Sequence, residues 1–186
     1  MIYLWRISDD YPQSLIGKYQ REGTPDRFLF KKGEALPETV GTPIIKFDAP
    51  LAKLREYDCL SHSAMVPLVS AACAELLQEI APTDVQFIKT QVIGSDSATE
   101  EFSLVNVTSK VCGIDRERSV FKYVPGTQQI MSFRKLSYVE GCLGIHGLAR
   151  DSEYLSHLLV SNSVAERLIN EGLSGIALIK PTEVAW

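Results

Sequence analysis

Along this chain apolar and polar residues mostly alternate in short runs, and twice the spacing changes to that of a helix. In the first third, Ile2 to Ile7, Arg27 to Phe30 and Pro43 to Phe47 predict strands, separated by the Gly- and Pro-marked connections GTPD, KKGEALPETVGTP and DAP. LAKLREYDCL, residues 51 to 60, fits either one helical turn or an irregular crossing. Ser70 then stands as an N-cap ahead of Cys73, Leu76, Leu77 and Ile80, whose spacing lines one face of a helix over about 70–81 that Pro82 ends. Alternation resumes from Asp84 to Ile93, in FSLVNVTSKV, in VFKYV and in IMSFRKLSYV; the connections are too short for a parallel crossover, so antiparallel neighbours are expected. A further strand is expected near Leu143 to Leu148. HLLVS leads into a second amphipathic helix over about 162–171, capped by Ser161, or by Ser163 in a capping box with Glu166. Gly172 stops it, and a last strand runs from Gly175 to Ile179.

The pattern thus predicts an α+β protein: a mainly antiparallel sheet, two short amphipathic helices and a β-rich, loop-rich N-terminal part. One domain over residues 1–186 is expected, with 1–66 as a β-rich subdomain and 67–186 as the α+β region. LVSAACAELLQEIAPTDVQFI, residues 68 to 88, and LVSNSVAERLINEGLSGIALI, residues 159 to 179, overlay without a gap. Their identities, such as Leu77 with Leu168 and Ile88 with Ile179, are packing and capping types. The repeat therefore describes a scaffold rather than a shared site, and two copies are too few for a solenoid.

Composition changes this picture little: 45% hydrophobic and 23% charged residues are ordinary for a globular chain. The N-terminus lacks the basic flank and apolar run of a secretory signal, and no stretch is long and apolar enough to span a membrane, so a cytoplasmic protein without membrane contact is expected. Cys59, Cys73, Cys112 and Cys142 lie far apart, as free buried thiols do. The net charge of -4 arises after residue 66, and a mild acid excess argues against nucleic acid as a partner.

Candidate chemistry is sparse. His62, His146 and His157 share no metal-ligand spacing, GIHGLA reads as a turn or bulge, and Ser61, His62 and Ser63 are adjacent without an acid to complete a triad. Glu100 and Glu101 are paired carboxylates in a solvated loop. Neither an enzyme nor a cofactor is expected. The densest polar cluster is IDRERS, where Asp115, Arg116, Glu117 and Arg118 either form a contact surface or pair locally to shape the connection between strands.

LVNVTSKVCGIDRERSVF, the SFRKL strand and HLLVSNSVAERLINEGLSGIALIKP, in that order and spacing, resemble a myxobacterial-type immunity domain family found beside bacterial polymorphic toxins. The earlier LVSAACAELL and DVQFI segments match its middle part, giving a resemblance over about residues 66 to 181. Asp115, Ser119, Ser161 and Gly175 stand at the family's own positions and look structural. The resemblance implies a protein that binds a cognate toxin encoded nearby and occludes it, through a patch of about 800 Å². Asp96, Glu100 and Glu101, with Asp115, Arg116, Glu117 and Arg118, are the expected toxin-binding residues; the N-terminal loops 8–26 and 31–42 are the competing location. A small-molecule or peptide-binding module, or an enzyme with a scattered Ser/His/acid site, are the alternative functions. Oligomeric state is open.

Overall fold

Both helices start as their sequences dictate. In the computed structural model, which describes residues 1–184, the Ser70 hydroxyl accepts a hydrogen bond from the Cys73 amide at 3.3 Å and the Ser161 hydroxyl one from the Val164 amide at 3.4 Å. The choice between two caps thus falls to Ser161; Ser163 bonds the Ser161 hydroxyl instead, and Glu166 accepts from Asn162 Nδ2. The helices are α1 (Leu51–Leu54, a single turn), α2 (Ala71–Ile80) and α3 (Asn162–Asn170). The strands in chain order are β1 (Ile2–Arg6), β2 (Lys18–Tyr19), β3 (Ile44–Lys46), β4 (Cys59–Leu60), β5 (Leu68–Val69), β6 (Val85–Lys89), β7 (Gln91–Ile93), β8 (Ala98–Thr99), β9 (Ser103–Val107), β10 (Lys110–Val111), β11 (Val120–Tyr123), β12 (Ile130–Lys135), β13 (Leu148–Asp151), β14 (Leu158–Ser161) and β15 (Ala177–Ile179). The class is α+β, with mostly antiparallel sheets.

The repeat seen in the sequence extends much further in space. One sheet has the order β4-β5-β9-β6, and the other contains β13-β14-β1-β15. The registers coincide residue for residue. Leu104 of β9 faces Leu68 and Ile88, and Leu4 of β1 faces Leu159 and Ile179, the same positions of the second copy. Cys59 opposite Val69 likewise matches Leu148 opposite Val160. Each copy therefore has a parallel strand pair joined by its helix, with an antiparallel strand between them.

That middle strand is exchanged. β1 precedes the first copy in sequence but sits in the second copy's sheet, whereas β9 precedes the second copy and sits in the first copy's sheet. The junctions between copies are reciprocal too. The Asp58 carboxylate accepts from the Ser174 amide at 2.9 Å, and the Asp84 carboxylate accepts from the Gly147 amide at 2.7 Å; Asp58 corresponds to Gly147, and Ser174–Gly175 to Thr83–Asp84. Gly175 has φ +79°, and a Cβ there would lie 2.2 Å from the Cys59 carbonyl oxygen, so only glycine lets the copies approach this closely.

Alternation along the strands produces three apolar layers. Cys59, Val69, Val105, Trp5, Leu148 and Val160 face inward onto Cys73, Leu77, Val164 and Leu168 of the two helices. Leu60, Leu68 and Leu104 face outward, beneath the N-terminal segment with Phe30, Ile45 and Phe47. Leu4, Ala149 and Leu159, on the other outer face, are covered by the β11–β12 hairpin through Ile130, Phe133 and Leu136.

Several sequence expectations change here. Arg27 to Phe30 is part of a 3-10 helix, Arg27–Lys31, because the Asp26 carboxylate accepts from the Phe28 amide and folds the chain back. Asp84 to Ile93 breaks at Thr90, whose hydroxyl bonds the Ile88 carbonyl, and the two pieces join different sheets. FSLVNVTSKV is divided likewise into β9 and β10. The expected strand near Leu143 begins only at Leu148, since the Gly141 and Gly144 backbones, at φ +73° and +57°, turn instead. Two ladders are parallel, β3 with β7 and β10 with β13, made by residues far apart in sequence rather than by the short connections considered above.

Candidate functional site

A cleft of about 840 Å³ opens where the two copies meet, a size suited to a small-molecule site. Equivalent positions of both copies line it: Ser61 with Arg150, Val66 with His157, and Pro67 with Leu158. The end of the exchanged strand β1 contributes Arg6 and Ile7, and Lys31 reaches in from the N-terminal 3-10 helix.

Arg150 is the most unusual side chain in the molecule. It is 1% exposed, and its Nε and Nη2 have no hydrogen-bond partner among the described residues. Its neighbour Asp151 does not neutralise it, since successive strand residues point to opposite faces. The Asp151 carboxylate instead accepts from the Glu153, Tyr154 and Gly113 amides at 2.9, 3.0 and 3.2 Å. Burial pulls the Arg150 pKa down to about 10, still well above neutrality, so the buried charge persists.

The neighbouring groups respond to the same environment. Burial, then repulsion by Arg150 and Arg27, pushes the Lys31 ammonium down to about 8. His62 is held near 4, chiefly by burial, against a hydrogen bond of 2.8 Å to the Val66 carbonyl and with a small push from Lys31. His157 falls to about 3 through burial and the charges of Arg6 and Arg150, and its Nδ1 lies 2.8 Å from the Tyr138 hydroxyl. At neutral pH the lining thus carries neutral imidazoles and a surplus of cationic groups, with Asp9 and Glu183 as its carboxylates. This is chemistry for holding an anion. The sequence reading expected no gathering of ionisable groups, and the overlay of the repeats stopped one strand short of the Ser61–Arg150 pair that reveals it.

The residues singled out in the sequence lie elsewhere, in two groups on different layers. Asp96 accepts from the Leu51 amide at 3.0 Å and so caps α1, while Glu101 pairs with Arg55 at 2.9 Å and Glu100 with Lys89 at 2.5 Å. These three belong to the β7–β8 region beside the N-terminal core. Asp115 accepts from the Glu117 and Arg118 amides at 3.1 and 3.0 Å, shaping the turn that leads into the hairpin. Arg116 is bound to Glu153 and lies 5.8 Å over the Phe121 ring. Glu117 and Arg118 remain exposed, the latter with 78% of its side chain in solvent.

The His146 Nδ1–H donates to the Asp84 carboxylate at 2.7 Å, a structural pair at the junction of the copies. Among the described residues no group of three His, Cys, Asp or Glu side chains is arranged to hold a metal ion, and no helix is long and apolar enough to cross a membrane.

Comparison with known protein families decides what kind of molecule carries this architecture. A model of the immunity protein family Imm11 matches residues 8–182. The chain belongs to that family. The Imm11 match takes in the N-terminal third as well, where the resemblance read from the sequence began only near residue 66; the exchanged strand β9 lies beneath that N-terminal segment. No curated protein matches the chain.

Proposed function

We propose that this Imm11 protein protects by binding a cognate toxin and covering the surface the toxin needs to act. The observation that carries the reading is the family match over nearly the whole chain. The local geometry supports the turn at 115–118 and the hairpin behind it as the contact surface. Asp115 and the Arg116–Glu153 pair make this turn rigid, leaving Glu117 and Arg118 in solvent beside the exposed Val120, Tyr123 and Met131. A stiff mixed patch of apolar and charged side chains suits a protein–protein interface, because little conformational freedom is lost on docking. Asp96, Glu100 and Glu101, the last two paired with Lys89 and Arg55, offer a second surface of mixed charge that would help orient a partner.

The test uses the toxin encoded beside this gene. Glu117→Lys with Arg118→Glu, and Tyr123→Ala with Met131→Ala, are expected to weaken toxin binding about a hundredfold or more. Charge reversal at Asp96, Glu100 and Glu101 is expected to slow association at low salt and to change dissociation little. Full affinity in the hairpin variants would move the interface away from this turn. Absence of any complex with the wild-type protein would remove the reading altogether.

A further inference from the structure

The cleft between the copies is independent of the hairpin surface and makes a demand of its own. A guanidinium buried without hydrogen-bond partners at Nε and Nη2 is costly, and such a group is retained in folded proteins where something else meets its charge. Asp151, the nearest carboxylate in sequence, is occupied with backbone amides. Lys31 approaches the same space from the N-terminal 3-10 helix, so two cations share one cleft and repel each other. Leu4, Ile7, Val66 and Leu158 supply the apolar part of the wall, beside Arg6 and the carboxylates Asp9 and Glu183.

We propose that this cleft binds a small organic anion, its carboxylate or phosphate group held by Arg150 and Lys31 and its apolar body packed against Ile7, Val66 and Leu158. The planar guanidinium offers paired donors to either oxyanion, and the ammonium supplies a second, movable charge. His62 and His157 lie uncharged in the lining, so its cationic character comes from Arg150 and Lys31 together with Arg6, set against Asp9 and Glu183.

The experiment is isothermal titration of the full-length protein with four probes: inorganic phosphate, acetate, phenyl phosphate and benzoate. Both aryl compounds are expected to bind more tightly than the corresponding bare ions by about tenfold, the gain from burying one apolar ring. Preference between phenyl phosphate and benzoate tells which oxyanion the site is built for. Arg150→Met should weaken binding of the better probe at least about tenfold, and Lys31→Met by a smaller factor. Failure of the wild-type protein to bind any probe at tens of millimolar overturns the proposal, as does undiminished binding by Arg150→Met. Should Arg150→Met not fold, Arg150→Lys and Lys31→Met decide: weakened binding in both supports the site, and unchanged affinity in both overturns it.

Discussion

The two copies of the strand-helix-strand unit follow the same ladder pattern, register for register, in two separate sheets, yet they differ at the cleft they jointly enclose. Where the first copy places Ser61 and Val66, the second places Arg150 and His157. The inner faces are the same kind of surface: Leu77 and Leu168, Cys73 and Val164, Val69 and Val160 occupy matching apolar positions around the paired helices. The outer faces differ in what covers them, a long N-terminal segment on one side and a two-stranded hairpin on the other. Sameness is therefore concentrated where the copies pack on each other. Difference lies where each meets solvent, a ligand or a partner, because packing constrains volume and shape while an open surface does not.

The exchange of β1 and β9 can be broken most severely by truncation. A chain beginning at residue 67 lacks the strand between β14 and β15, and we expect no cooperative thermal transition and loss of the near-ultraviolet circular dichroism of packed aromatics. A folded fragment would mean that the second copy stands without the exchanged strand.

Next in size is Gly175→Ala, which would drive a Cβ against the Cys59 carbonyl in a left-handed backbone. A loss of about 4 kcal/mol or more is expected from denaturant unfolding. Gly147→Ala, at the other junction, meets side-chain rather than backbone atoms, Val164 Cγ2 at 2.8 Å and Ala81 Cβ at 3.2 Å, and should cost about 1–3 kcal/mol. Equal costs would contradict the asymmetry of the two junctions.

Leu77→Ala and Leu168→Ala test the likeness of the inner faces, and each should lose about 2–5 kcal/mol with the two values close together. A large disparity would show that the helices are not equivalent in packing.

Acid sharpens the contrast at the cleft. His62 and His157 have folded-state pKa values of about 4 and about 3, below the unfolded value of about 6.5. The unfolded chain therefore binds more protons between about pH 6.5 and 4, and stability falls as pH is lowered through that window, by on the order of 3 kcal/mol for His62 alone. Chemical denaturation at several pH values measures the slope, and His62→Gln should reduce it. A slope unchanged by that substitution would place the sensitivity elsewhere. Smallest of all, Glu101→Ala removes an exposed pair with Arg55 and should leave the unfolding midpoint unchanged within error.

Much of the fold was legible in particular residues. Ser70 and Cys73 through Ile80 announced α2, and Ser161 with Val164 and Leu168 announced α3, because caps and helical faces are settled by residues within four positions of one another. Arg27 to Phe30 misled because its aromatic run outweighed the capping Asp26, and Thr90 gave no sign that a continuous alternation would divide between two sheets. At the candidate surface, the local pairing of Asp115 with its own turn followed from the sequence cluster IDRERS. That Arg116 would be anchored by Glu153 did not, since the partner is 37 residues away.

By itself the sequence determined that there would be two like units, each with a capped helix and flanking strands, and that their inner positions would be apolar. Only the tertiary structure decided that each unit would lend its first strand to the other, and that Arg150, just beyond the strand expected near Leu143 to Leu148, would be sealed in a cleft. The physical reason is one of reach. Periodicity and capping act over a helical turn or a few strand positions, while strand exchange and the burial of a charge depend on contacts between residues separated by as much as the length of the chain.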